Sequence, residues 1–97
     1  MKKKIQDVKV GVAWYKPEQW ALLRAYAVDS DELEDTYPEW LEMANRSYKM
    51  MEDEGLSLRK IEVDVDELFE WCKKKNIPLN GEARSEYASV LLKEMYK

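Results

Sequence analysis

Residues 10–20, VGVAWYKPEQW, decide the fold prediction because one secondary-structure element ends there and another begins. Valines and then Trp14 occupy every second position from Val8, and a period of two that is rich in valine is typical of a β-strand. Pro17 follows closely, and proline suits the first turn of a helix, where its missing N–H costs nothing. The stretch therefore predicts a strand-to-helix corner, with a helix over residues 17–28.

Two adjacent rings close this strand, and side-chain alternation along a strand points them to opposite faces of the sheet. We expect Trp14 to pack beneath the helices and Tyr15 to cover the other face or the surface of a partner. On the helix that follows, the helical period predicts one buried stripe. That stripe contains Trp20, Leu23 and Ala27.

A longer helix is predicted after an acidic connection. Thr36 and Glu39 have the spacing of a capping box, in which each side chain hydrogen-bonds the other residue's backbone N–H. The helix should continue to Glu54 and end at Gly55, because glycine readily takes the left-handed conformation that closes a helix. Its apolar positions, at spacings of three and four, are Tyr37, Leu41, Ala44, Tyr48 and Met51, flanked by Trp40, Met43 and Met50.

A second strand is predicted over Leu58–Val65, where apolar and charged residues alternate, so one face of the strand should be exposed to solvent. Two more helices should follow. Asp66 is expected to cap the first of them, Asn76 to end it, and Asn80 to cap the second. The apolar face of the strand carries Ile61, Val63 and Val65.

The predicted order is strand, helix, helix, strand, helix, helix, in a single domain that spans residues 1–97. The fold class is α+β, with a two-stranded sheet covered by about four helices. The pattern leaves the direction of the two strands open, since two intervening helices can return the chain either way. If the strands are parallel, both strand ends and the helix starts that follow them meet at one edge, where small ligands often bind.

Charge and cysteine content narrow the functional classes. The net charge is −4 and the pI about 4.9, so nucleic acid is disfavoured as the main ligand, although Lys2–Lys4 and Lys73–Lys75 could contact phosphates. Cys72 is the single cysteine, which excludes an internal disulfide and suits a reducing compartment such as the bacterial cytoplasm. No stretch approaches the roughly 20 apolar residues of a membrane-spanning helix.

Few side chains in this sequence suggest chemistry. Histidine is absent, the three glycines are isolated, and one cysteine cannot build a structural zinc centre. The acidic run 29–35 lacks both the sixth-position glycine and the twelfth-position carboxylate of a calcium loop. We therefore predict no catalytic residue, no metal site and no cofactor, and we expect the Cys72 thiol to be buried and inert.

The aromatic residues allow two interpretations. In the first, the large rings form the core, as aromatic stripes at helical spacing usually do. In the second, some of them line a concave ligand site beside a cationic side chain. The candidate residues of such a site are Tyr15, Trp40, Trp71 and Arg84.

The sequence resembles a family of small uncharacterised bacterial cytosolic proteins of about this length, and the resemblance spans most of the chain. The shared motifs are Trp14-Tyr15, Asp35-Thr36-Tyr37 with Glu39-Trp40-Leu41, Val63-Asp64 before Trp71-Cys72, and Ala83-Arg84 with Tyr87-Ala88. The family has no assigned activity, so the resemblance implies no catalytic role for any residue.

Two functional hypotheses follow. The first is a non-enzymatic interaction or structural module that self-associates, because two strands make a marginal sheet with open edges. The alternative is a small-molecule binder or enzyme that uses an aromatic pocket, with Arg84 as an anion anchor. Its acid–base group would be Asp64, Asp66 or Glu39.

Overall fold

The computed structural model describes residues 9–95. Two sequence predictions, the strand start at Val8 and the basic cluster Lys2–Lys4, lie outside the described residues. The observed order of strands and helices confirms the predicted α+β arrangement. The elements are β1 (Val10–Trp14), α1 (Pro17–Tyr26), a 3₁₀ turn (Ser30–Glu32), α2 (Tyr37–Asp53), β2 (Leu58–Glu62), α3 (Val65–Lys75) and α4 (Gly81–Met95).

The two strands are parallel, which settles the direction that the sequence left open. Val10 lies opposite Leu58 and Trp14 lies opposite Glu62. A parallel pair needs a long crossover connection, and the segment that contains α1 and α2 supplies it. As a result both strands end at the same edge of the sheet, and α1 and α3 begin there.

Helix α4 packs closely on one face of this sheet. A Cβ atom built on Gly11 would lie 3.0 Å from the Ala88 carbonyl oxygen, so the glycine allows strand and helix backbones to approach. Ile61, Ala88 and Leu92 form a small buried cluster on this face. On the opposite face, Trp14 contacts the ring of Tyr48 in α2, with centroids 5.8 Å apart.

The main core lies where α1 and α3 pack beside the strands, and the burial of individual residues confirms both predicted buried stripes. The α1 stripe of Trp20, Leu23 and Ala27 is buried. The residues predicted on the apolar face of β2 and just beyond it, Ile61, Val63 and Val65, are buried as well. Cys72 is also buried, as expected, and burial raises the pKa of its thiol.

Helix ends agree with most of the sequence predictions. The capping box of Thr36 and Glu39 is present, with both hydrogen bonds at 3.3 Å. Gly55 has a φ of 96°, the left-handed conformation expected after a helix. Asn76 closes α3 in the left-handed region, and the Asn80 side chain accepts the Ala83 N–H at the start of α4.

The predictions for the end of β2 and the start of α3 were wrong. The strand ends at Glu62, and the cap of α3 is Asp64, whose side chain accepts the Glu67 N–H at 3.1 Å, and not Asp66. The Gln19 side-chain oxygen accepts the Val65 N–H at 2.6 Å. Because both acceptors satisfy free N–H groups at this point, the helix begins earlier than the alternation indicates.

Of the two adjacent rings, Trp14 packs against α2 as expected, but the expectation for Tyr15 was wrong. Tyr15 is buried in the core, whereas Trp14 is half-buried with the Lys60 ammonium 4.2 Å from its ring. The strand ends at Trp14, so strict alternation no longer applies to Tyr15. Both rings contact Trp40, at centroid distances of 5.2 and 5.4 Å, and therefore serve one core.

Candidate functional site

Arg84 and Asp29 form the strongest charged contact among the described residues. Arg84, in the first turn of α4, donates from both terminal nitrogens to the two oxygens of Asp29, at 2.9 and 3.0 Å. The side chains are only 14% and 17% exposed. The hydrogen bond from Arg84 is the main reason why the pKa of Asp29 is lowered, and N–H groups of Asp29 and Gly81 add to this effect.

Tyr15 lies close enough to this ion pair to feel both charges. Burial raises its pKa to about 12, Arg84 opposes the shift, and Asp29 adds to it. Its hydroxyl is buried and finds no hydrogen-bond partner within residues 9–95. The phenol therefore stays neutral throughout the physiological pH range.

The predicted anion anchor, Arg84, already binds an anion that belongs to the same chain. The bidentate geometry matches the fork of the guanidinium to the carboxylate of Asp29, which leaves an external anion to compete for the same donors. The pair ties the connection between α1 and α2 to the start of α4. Its evident role in the fold is structural.

The other aromatic candidates occupy two separate places. Trp40 is buried and stacks on Trp20 with centroids 5.2 Å apart, and Tyr15 packs against both rings. Trp71 lies elsewhere, against Tyr87 at 5.2 Å between α3 and α4. The structure thus brings Tyr15 and Trp40 together inside the core and does not bring Trp71 to them.

The proposed acid–base groups each have a local structural role. Asp64 caps α3, and Glu39 completes the capping box of α2. Asp66 accepts a hydrogen bond from the Tyr26 hydroxyl at 3.3 Å. Within residues 9–95, no three acidic or cysteine side chains converge as a metal site requires.

The edge where both strands end carries a hollow of about 180 Å³. An ion pair of 3.5 Å between Lys16 and Glu62 crosses this edge. Gln19, which also lines the hollow, uses its side-chain oxygen to hold the start of α3. Lys16, Glu62 and Gln19 at this edge are thus engaged in contacts within the chain.

Trp71 belongs to a different concave surface, a groove of about 560 Å³ between α3 and α4. Tyr87, Val90 and Leu91 complete its apolar floor. The helical spacing of these three residues also suits a packed core, so the sequence does not distinguish them as a site. The polar part of its lining is Asp66, Glu67, Glu70, Lys74 and Glu94.

Comparisons of the chain with protein-family models, with curated proteins and with solved structures found no match in any of the three. None of the helices described over residues 9–95 is long and apolar enough to cross a lipid bilayer.

Proposed function

We propose that this protein is a self-associating interaction module that works in a reducing compartment such as the bacterial cytoplasm. The observation that carries the proposal is a parallel sheet of two strands with exposed apolar side chains where the strands begin. Helix α4 covers one face of this sheet and α2 the other, but an isolated strand pair is only marginally stable. A second copy of the chain would cover the apolar side chains that stay exposed where the strands begin.

The exposed apolar residues come from three neighbouring segments. Val10, Met50 and Leu56 are 42%, 57% and 45% exposed, and we call these three residues the strand-entry patch. The Val10 N–H donates to the Ser57 carbonyl at 2.8 Å, and the Leu56 N–H donates to the Met51 carbonyl at 3.2 Å. These bonds hold the start of β1, the end of α2 and the turn after it together.

Charge at this end of the molecule favours a second copy as the occupant. Lys9, Lys49, Asp53 and Glu54 are all exposed, and Lys49 pairs with Asp53 at 3.8 Å. In a twofold dimer the same surface meets itself, so a surface with both signs of charge can pair with its own copy. A surface with one sign would repel its copy.

Two further expectations accompany the proposal. The single cysteine is buried and its pKa raised, which fits a chain that needs no oxidised form. The resemblance to a family of small bacterial cytosolic proteins supports the compartment and adds no activity.

The experiment is a measurement of mass by light scattering and sedimentation equilibrium at micromolar concentrations. We expect a dimer for the unchanged chain and a monomer for Val10→Lys and Leu56→Lys, because a buried lysine without a partner opposes association. Val28→Lys is the matched control, since Val28 is 67% exposed and lies outside the strand-entry patch. A monomeric unchanged chain, or equal dissociation by the control, contradicts the proposal.

A further inference from the structure

The groove between α3 and α4 combines an apolar floor with an acidic rim. Trp71 and Tyr87 supply aromatic surface, and Val90 and Leu91 extend it along α4. Four carboxylates and one lysine line the groove. The rim residues are Asp66, Glu67, Glu70, Glu94 and Lys74.

The carboxylates of the rim are not equally neutralised by the chain itself. Glu70 pairs with Lys73 at 3.2 Å. Glu67 and Glu94 form no ion pair with any residue from 9 to 95. Burial is the main reason why the pKa of Tyr87 is raised, and the charges of Glu67, Asp64 and Glu94 add to the shift.

The groove continues along α4 into a second hollow of about 450 Å³. The two hollows share Leu91 and Glu94, and the second adds Ile61 and the half-exposed Met95. From Tyr87 to Met95 the surface follows α4 for about 12 Å, or roughly two helical turns. That length matches a short helical segment better than a compact small molecule.

We infer that this groove binds a basic amphipathic helix of a partner protein. Leucine-like side chains of the partner would lie on Trp71 and Leu91, and its lysine or arginine side chains would face Glu67 and Glu94. An amphipathic helix in an apolar groove is a common mode of recognition, and charge at the rim selects the partner by sign.

The described part of this chain does not supply such a helix to a second copy. None of its four helices has more basic than acidic side chains. The strand-entry patch also shares no residue with the groove lining, so this inference does not depend on the proposed self-association. The occupant is therefore a different protein with the opposite charge.

The probe is a fluorescent synthetic helix made of leucine and lysine, compared with a version in which glutamate replaces every lysine. Anisotropy titration of the full chain should show saturable binding of the basic peptide at low salt and no saturable binding of the acidic one. The double variant Glu67→Gln/Glu94→Gln should weaken binding by about 5- to 10-fold, since rim charges contribute modestly. The matched control Glu42→Gln/Glu52→Gln removes the same charge from α2 and should change the affinity by less than about twofold.

A second measurement tests whether the apolar floor contributes to binding and where on the protein the peptide binds. Leu91→Ala should weaken binding of the basic peptide by about tenfold, because buried apolar contact is lost. Circular dichroism should show that the variant keeps its fold. Amide chemical-shift changes on binding should fall in α3 and α4 and spare α2.

Three results would overturn the inference. If both double variants lost the same peptide affinity, the overall negative charge of the protein, and not a specific site, would attract the peptide. Shift changes centred on α2 would place binding elsewhere. A gain of more than about tenfold in peptide affinity on replacing Lys2, Lys3 and Lys4 by glutamine would mean that this chain's own N-terminal lysines compete for the groove.

Discussion

Arg84 and Asp29 are 55 positions apart in the chain and are joined by two hydrogen bonds of 2.9 and 3.0 Å. The carboxylate fills the fork of the guanidinium, so the residue that resembles an anion anchor in the sequence binds an internal anion. The pair therefore links the connection between α1 and α2 to the first turn of α4, which is far away in the sequence.

Breaking this pair should destabilise the protein. Asp29→Asn leaves the charge of Arg84 in a mostly buried place with a weaker acceptor, and we expect a loss of about 2 kcal/mol in the free energy of unfolding. Urea denaturation followed by circular dichroism measures it. As a control, Glu42→Gln removes the exposed ion pair with Arg46 and should change the free energy by less than about 0.5 kcal/mol.

The stability that the contact between Arg84 and Asp29 contributes should decrease at acid pH. The pKa of Asp29 is lowered from its ordinary value of 3.8, so the contact stabilises the folded chain above that value. The stabilisation is lost as the pH falls from about 4 through the folded-state pKa. Unfolding free energies measured from pH 6 downward should therefore fall less steeply for Asp29→Asn than for the unchanged chain, and parallel curves would contradict the lowered pKa.

Tyr15→Phe should stabilise the protein at neutral pH by about 1 kcal/mol, because it removes a buried hydroxyl that has no partner among the described residues. Thermal unfolding measures the change. Tyr37→Phe is the matched control with the opposite sign, since the Tyr37 hydroxyl donates to the Tyr15 carbonyl at 2.9 Å. If Tyr37→Phe stabilised the protein and Tyr15→Phe destabilised it, the Tyr37 hydroxyl would not be the hydrogen-bonded one and the Tyr15 hydroxyl would not be the unpaired one.

Tyr15→Phe should also change how the free energy of unfolding depends on pH above 10. Because the pKa of Tyr15 is raised to about 12 in the folded chain, the unfolded chain loses this proton first, and the free energy of unfolding falls as the pH rises from 10 toward about 12. Over that interval the unchanged chain should lose about 2 kcal/mol more than Tyr15→Phe does. Equal losses would indicate that Tyr15 ionises normally in the folded chain.

Gly11→Ala should destabilise the protein by about 1–3 kcal/mol, because the new methyl group would lie 3.0 Å from the Ala88 carbonyl oxygen and 3.3 Å from Ile61. The backbone of α4 would have to move away from the sheet. Gly81→Ala is the control: its methyl group would meet Arg84 at 3.6 Å, an ordinary contact, so stability should not fall. Chemical denaturation compares the two variants.

The candidate site was only partly predictable from the sequence. Aromatic spacing identified Trp40 and Trp71 as large apolar residues on helices, but the same spacing describes a core residue and a groove residue equally well. Tyr15 was misplaced because the strand ended one residue earlier than the alternation indicated. Tyr87 and Leu91 became groove residues only through the position of α3 beside α4.

The order of the elements, the buried stripes of α1 and β2, and the capping box of Thr36 and Glu39 can all be predicted from local sequence patterns. These features depend on neighbours within a few residues, where backbone geometry fixes which side chains share a face or reach a free N–H. The parallel direction of the strands, the contact between Arg84 and Asp29, and the position of Trp71 in a groove become visible only in the folded chain. Those outcomes join residues tens of positions apart, and local spacing carries no information about which distant segments pack together.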